Sequence, residues 1–225
     1  MNPDTGLVAA AACGAAGLLV PGLVGRLQDP VYAEVARRPG LGRTAAVVCA
    51  VAGGLAGLVV GWTGALPAVL LVVPVGYALA VVDLHTRLLP KAVVLPLTGA
   101  VVALLLLAGA LDRDLDALAR AAVGLVGARS AYWLLWRVRS SGLGFGDVRL
   151  AAPLGAVLGY LGWGELVVGL WSAFLVFGLP GLGLALVRRD RELLRTAYPF
   201  GPAMLVGALL GVLVGAPVLD GLVTG

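Results

Sequence analysis

The chain carries little charge. Of its 225 residues, 12% are Asp, Glu, Lys or Arg and 60% are hydrophobic, and the mean hydropathy is +1.03. A soluble domain of this length would have about twice that share of charged residues. The composition therefore excludes an ordinary soluble protein. It predicts an integral membrane protein, a single membrane domain over residues 1–225 with no room for a separate soluble domain.

Histidine and cysteine are also scarce, with one histidine and two cysteines in the chain. Cys13 and Cys49 lie in apolar segments, without CxxC spacing or a nearby histidine, so we expect no metal site, no disulfide and no cofactor. The net charge of +4 is modest and is spread over loops instead of following one stripe. That distribution suits loops beside an anionic bilayer and argues against a nucleic-acid partner.

Apolar runs of the length that crosses a bilayer, about 20 residues, follow one another along the chain. No charge lies between Arg43 and Asp83, and Gly61-Trp62-Thr63-Gly64 divides that stretch into two. No basic residue precedes Leu7, so the start does not look like a signal peptide and we expect a retained first helix. The pattern predicts a polytopic all-α bundle of about eight transmembrane helices: Leu7–Val24, one on each side of residues 61–64, Ala92–Leu111, Leu115–Trp136, Val148–Trp163, Leu166–Val187 and Pro199–Leu219.

The basic residues predict an orientation, because cytosolic loops of membrane proteins are enriched in Lys and Arg. Thirteen of the 16 fall in four segments that alternate onto one face of the predicted bundle. We expect that face, with its short loop 25–43, to be cytosolic and both termini to lie outside the inner (cytoplasmic) membrane. The thirteen are Arg26, Arg37, Arg38, Arg43, Arg87, Lys91, Arg137, Arg139, Arg149, Arg188, Arg189, Arg191 and Arg195.

Two of the 12 acidic residues stand apart by position. Asp83 ends one apolar run and Asp147 begins another, both at the cytosolic edge, where an ionisable group is costly and usually functional. Asp147 also suits the cap of a helix N-terminus, whereas a carboxylate at a helix C-terminus, such as Asp83, opposes the helix dipole. The residues alone leave open whether the pair is catalytic or only caps helix ends.

Three further features near these aspartates carry weaker signals. Gly144-Phe145-Gly146 gives an unhindered backbone that a substrate strand can approach, but an ordinary loop before a helix cap looks the same. His85, the only histidine, either tunes Asp83 or is an incidental loop residue. Arg129 lies about two turns inside the fifth helix, and it either extends to the cytosolic edge or reaches a polar cavity.

Three motifs taken together resemble the type IV prepilin peptidases, which are GxGD membrane aspartyl proteases. Asp83 through Leu89-Pro90 is similar to the family's Asp-x-x-x-x-x-(Ile/Leu)-Pro, and Gly144-Phe145-Gly146-Asp147-Val148-Arg149-Leu150 to its Gly-x-Gly-Asp-x-Lys-Leu, with Arg149 in place of Lys. Pro199-Phe200-Gly201-Pro202 resembles the element that often begins the family's last helix. The resemblance covers residues 25–219 in layout, with a catalytic region at about 65–219.

The resemblance implies an aspartic endopeptidase that cuts the leader from pilin-like precursors, whose basic leader is cytosolic and whose apolar helix lies in the bilayer. Asp83 and Asp147 would be the catalytic pair, one carboxylate activating a water and the other, protonated, polarising the carbonyl. The helix dipole favours the charge on Asp147. Supporting roles are implied for Gly144, Gly146, Arg149, Pro90, Phe200, Gly201 and Pro202. The sequence indicates no oligomeric state.

The chain also departs from the family pattern. Many members have a cytosolic domain with four zinc-binding cysteines after the first helix, whereas residues 25–43 are short and lack cysteine, so the chain resembles a short form. The Arg-Leu-Pro usual at this point reads Arg26-Leu27-Gln28. Members with the domain often methylate the new N-terminus with S-adenosylmethionine. Nothing here marks a methyl-donor site, and N-methyltransferase activity stays open.

Two alternative functions remain. One is another GxGD protease, preflagellin peptidase-like or signal-peptide-peptidase-like, against which the Phe200-Gly201-Pro202 element argues. The other is a non-enzymatic small transporter or assembly protein. A transporter more often places its charges near the membrane midplane, whereas Asp83 and Asp147 are expected at an edge.

The predicted topology can be tested by labelling single cysteines in a Cys13→Ala/Cys49→Ala background. A membrane-impermeant maleimide should label Gly225→Cys in intact cells, because the C-terminus is expected outside. The matched variant Arg87→Cys should react only after permeabilisation. The reverse pattern would contradict the orientation.

Overall fold

The computed structural model of the protein describes residues 2–27, 30–138, 143–188 and 199–224. Every regular element in these ranges is an α-helix, as expected for an all-α polytopic membrane protein. The helices are α1 (Pro3–Gly17), α2 (Val20–Gly25), α3 (Pro30–Ala36), α4 (Leu41–Val60), α5 (Leu66–Thr86), α6 (Lys91–Asp112), α7 (Leu115–Val138), α8 (Phe145–Leu161), α9 (Trp163–Arg188) and α10 (Gly201–Thr224). Of the basic residues assigned above to the cytosolic face, Arg139, Arg189, Arg191 and Arg195 lie outside the described residues.

The predicted break at residues 61–64 is confirmed, because α4 ends at Val60 and α5 begins at Leu66. Gly61 takes a φ of +65°, which glycine adopts without steric cost. The first predicted span differs from the expectation, since a break at Leu18 and Leu19 separates α1 from α2. Pro21 explains this break, because its ring has no N–H to donate and would clash with the carbonyl four residues earlier.

The short helix α3 lies in the loop 25–43, where the sequence predicted no helix. Elsewhere the helices match the predicted spans. Five segments are long and apolar enough to cross a bilayer by length and composition: Pro3–Gly25, Leu41–Val60, Leu66–Thr86, Lys91–Asp112 and Gly201–Leu222. The helices α7, α8 and α9 stand at the predicted places but fall outside this group, and their crossing of the membrane stays a prediction.

Glycine allows the helices to approach one another closely, as is typical of helices packed in lipid. Where α9 crosses α10, a Cβ added at Gly211 would lie 2.5 Å from the carbonyl oxygen of Glu165. Where α1 crosses α4, a Cβ at Gly53 would lie 2.5 Å from the sulfur of Cys13, and Cys49 is buried in the same helix pair. Both cysteines are free and fill space between helices.

The antiparallel contact between α7 and α8 positions one helix of the site described below. At Gly124 an added Cβ would collide with the backbone carbonyl of Gly155, and at Gly159 it would lie 2.5 Å from the carbonyl oxygen of Arg120. Backbone atoms cannot move aside as the end of a side chain can. These glycines therefore fix the distance and the register of the two helices.

Enlarging this contact should destabilise the protein. We expect Gly124→Leu to lower the free energy of unfolding by about 1–3 kcal/mol or more, because overpacking forces backbone shifts. Gly127→Leu is the matched control, since residue 127 lies on the same helix with nothing within 4 Å of its added Cβ. Thermal unfolding in detergent, followed by size-exclusion recovery, compares the two. Equal stability of the two variants would contradict the proposed constraint.

Candidate active site

Asp83 lies in the last turn of α5, where its side chain is 4% exposed. The backbone N–H of Gly201, the first residue of α10, donates to Asp83 Oδ2 at 3.0 Å. The unfavourable position of a carboxylate at the C-terminal end of α5 is thus compensated by the N-terminal end of another helix, where backbone N–H groups and the dipole favour an anion. A Cβ at Gly201 would lie 2.8 Å from the same oxygen, so only glycine leaves this contact intact.

Asp147 is the third residue of α8 and is 5% exposed. Its Oδ2 accepts a hydrogen bond of 2.9 Å from the backbone N–H of Gly144, the residue that caps the helix. One carboxylate oxygen of Asp147 therefore does cap the start of α8. It does so from the third residue of the helix, whereas the sequence suggested the cap position itself. The other oxygen, Oδ1, is buried and has no hydrogen-bond partner among the described residues.

The two carboxylates come from helices that are far apart in sequence, yet they are close enough for their charges to interact. Gly146 helps to bring them together, because an added Cβ there would lie 2.6 Å from the Cβ of Leu89. The start of α8 thus packs directly on the segment that follows Asp83. Gly146 therefore serves this contact between the two motifs, and the approach of a substrate strand stays a prediction.

The segment after Asp83 continues into a basic cleft. Pro90 caps α6, and its carbonyl oxygen accepts from the N–H groups of Val93 and Val94 at 3.0 and 3.2 Å. Arg149 places its guanidinium 4.7 Å from the centre of the Phe145 ring. Arg149 and Pro90 line an open cleft of about 590 Å³ together with Arg26, Leu27, Tyr32, Leu88, Leu89, Lys91 and Ala92.

The Phe200-Gly201-Pro202 element meets the site from α10. Phe200 is buried among aromatic rings, with centroid distances of 4.9 Å to Phe177, 5.3 Å to Phe174 and 6.0 Å to Tyr132. Because Phe200 directly precedes Gly201, this aromatic cluster holds the N–H that binds Asp83. Tyr132, near the end of α7, is 2% exposed and belongs to no motif recognised in the sequence.

An apolar groove of about 230 Å³ runs between α4, α5, α8 and α10. Its lining includes Ala80, one turn before Asp83 on α5, and Pro202, next to Gly201. Val72, Leu205 and other apolar side chains line the remainder. The lining of the groove therefore comes within one helical turn of Asp83 along α5 and adjoins Gly201 on α10.

The two other residues considered from the sequence are His85, which forms hydrogen bonds at the end of α5, and Arg129, which is exposed on α7. His85 lies in the last turn of α5 and not in a loop. Its Nδ1 is 2.7 Å from the carbonyl oxygen of Val81, so Nδ1 carries the proton that it donates, and Nε2 accepts from Arg38. His85 thus ties the end of α5 to the segment after α3. The side chain of Arg129 is exposed on α7, which favours the interpretation that it extends towards a membrane edge.

Comparison with known proteins gives a consistent family. The model of the type IV leader peptidase family matches residues 70–185, which include Asp83 and Asp147. A prepilin leader peptidase/N-methyltransferase of Aeromonas hydrophila is 36% identical over 156 residues, 69% of this chain and 51% of the relative. A protein of the same name from Pseudomonas putida is 35% identical over 72% of this chain and 56% of the relative. Another, from Escherichia coli K12, is 33% identical over 60% of this chain and 57% of the relative. The chain spans about half the length of these curated relatives. No solved structure matches it.

The contact between Gly201 and Asp83 can be tested without changing a titratable group. Gly201→Ala should displace the Asp83 carboxylate, and a displacement of about 1 Å in a reacting group costs about 10²-fold in rate. Gly221→Ala, on the same helix with open space at its Cβ, is the control. The measurement is the rate of the catalysed reaction proposed below, at matched membrane levels. Equal rates for the two variants would show that the contact does not position Asp83 for catalysis.

Proposed function

Because the chain belongs to the type IV leader peptidase family, we propose that it is an aspartic endopeptidase that removes the leader of pilin-like precursors. One observation carries the proposal. Asp83 and Asp147 are both almost fully buried, interact electrostatically, and each hold one oxygen on a backbone N–H. Buried carboxylates that only stabilise a fold are rare unless they are paired with cations, and perturbed carboxylate pairs are typical of functional sites.

The proposed reaction uses the two carboxylates as an acid–base pair. Two close carboxylates do not both ionise readily, so they share one proton and titrate as a unit. The ionised carboxylate removes a proton from a water, and the protonated one donates a hydrogen bond to the carbonyl of the scissile peptide. Asp83 and Asp147 both accept from an N–H at a helix N-terminus, so the helix dipoles alone do not assign the charge to Asp147. The mechanism uses no metal and no cofactor.

The surroundings of the pair suit a precursor with an apolar helix. The groove that passes Ala80 and Pro202 has apolar walls and comes within one helical turn of Asp83. Apolar side chains of the precursor's helix that pack into this groove would bring the peptide bond at the cytosolic end of that helix towards Asp83 and Asp147. The basic leader would stay on the cytosolic side, as the positive-inside rule requires of basic segments next to a transmembrane helix.

The proposal includes a location. The active site faces the cytosol at the inner membrane, both termini lie outside, and residues of about 65–219 form the catalytic region within one membrane domain. Of the two activities in the relatives' names, we propose the peptidase, and N-methyltransferase activity stays open.

Replacing either carboxylate by an amide should abolish cleavage. Asp83→Asn and Asp147→Asn each remove one half of the acid–base pair, and the loss should be about 10²–10⁴-fold or more. The measurement is co-expression with a precursor that has a basic leader and an apolar helix, followed by a gel for the shortened product. Asp220→Asn, near the opposite end of α10, is the control that should cleave normally. Near-normal cleavage by either dyad variant at matched levels would contradict the assignment.

A further inference from the structure

The close contact between α7 and α8 sets a register that can be followed to the site. The carbonyl of Arg120 faces Gly159, and that of Gly155 faces Gly124. Moving four residues towards the C-terminus of α7, about one helical turn, therefore corresponds to moving four residues towards the N-terminus of α8. This is the pairing expected for two antiparallel helices. Two further steps along the same pairing place Tyr132 opposite Asp147.

The surroundings of Tyr132 agree with this placement. Its ring lies 5.4 Å from that of Phe174 and 6.0 Å from that of Phe200, between the helix that carries Asp147 and the element that holds Asp83. Its hydroxyl and the Asp147 carboxylate are close enough to interact electrostatically. Aromatic contacts on the ring fix the direction of the hydroxyl, because a tyrosine has only two side-chain torsions.

Two buried polar atoms at this end of the helix pair have no hydrogen-bond partner among the described residues. The Tyr132 hydroxyl is one, and Asp147 Oδ1 is the other. A hydroxyl has a proton to donate, and a carboxylate oxygen only accepts. Native structures rarely leave such groups unpaired, since an unpaired buried polar group loses its hydration without compensation.

On the basis of the proposed function, we infer that Tyr132 is a positioning residue of the carboxylate pair, whose hydroxyl donates a hydrogen bond to Asp147 Oδ1 through one water. Asp147 is then held at both oxygens, by Gly144 at Oδ2 and by Tyr132 at Oδ1. A donor on a carboxylate favours its ionised form. Tyr132 therefore assigns the role of general base to Asp147 and leaves the proton on Asp83, which the helix dipoles do not decide.

The test removes the hydroxyl and keeps the ring. Tyr132→Phe should lower kcat about 10- to 10²-fold, the value of one hydrogen bond to a charged group, with KM unchanged within about twofold, because the groove that receives the precursor is intact. The probe is a purified precursor with a basic leader and an apolar helix, in detergent. Tyr160→Phe is the matched control, a buried tyrosine of α8 whose hydroxyl interacts with Asp112 and Asp114. It should keep the kcat of the unmodified protein.

The other outcomes each have a definite meaning. An unchanged kcat in Tyr132→Phe overturns the inference while the peptidase proposal stands, provided that the unmodified protein cleaves and Asp147→Asn does not. A rise in KM, or a fall in melting temperature that parallels the loss of activity, also overturns it, because Tyr132 would then act through packing alone. An unmodified protein that cleaves no precursor overturns the proposed function and this inference together.

Discussion

Two carboxylates buried in a bundle of apolar helices are the feature on which the remainder of the structure depends. An isolated ion of this kind loses its hydration, at an effective cost of about several kcal/mol. The fold offsets the cost at helix N-termini, where backbone N–H groups are free to donate. Gly201 begins α10 against Asp83, and Gly144 caps α8 against Asp147. The bond from Gly201 ties the start of α10 to the end of α5, and the contact of Gly146 with Leu89 ties the start of α8 to the segment that follows α5.

Close helix packing is the means by which that arrangement is held. Three of the glycines near the site lie where a Cβ would meet a carboxylate oxygen, a side chain or a backbone carbonyl: Gly201 at Asp83, Gly146 at Leu89 and Gly124 at Gly155. Without a hydrophobic driving force between helices in lipid, such contacts contribute dispersion and fixed geometry. The glycines of the motifs are therefore better understood as distance constraints than as flexible points in the chain.

Much of the fold and the pair of aspartates could be predicted from the sequence, for physical reasons that the structure makes clear. The bilayer limits the length of each apolar segment and the positions where charges are tolerated, and it does so for each segment separately. The break at residues 61–64 and the unusual positions of Asp83 and Asp147 could therefore be predicted from the sequence. The break at Leu18–Leu19 was missed because the apolar pattern continues through Pro21. The partner of Asp83 was not predictable from spacing, since Gly201 is 118 residues away in the chain, and only the family resemblance had singled it out.

Tyr132 is the residue of the site that the sequence did not predict. A buried tyrosine in an apolar helix has no pattern that separates it from ordinary packing, and aromatic residues at such positions usually do pack. Its significance depends on the register between α7 and α8, which the small residues Gly124, Gly155 and Gly159 establish. Two of those glycines carry a signal, because Gly155 and Gly159 are four residues apart on α8, and four-residue spacing marks one face of a helix. Pairing that face with the small residues of α7 across their short connection would have placed Tyr132 beside Asp147. The information is therefore present in the sequence, but it becomes readable only when two helices are considered as one unit.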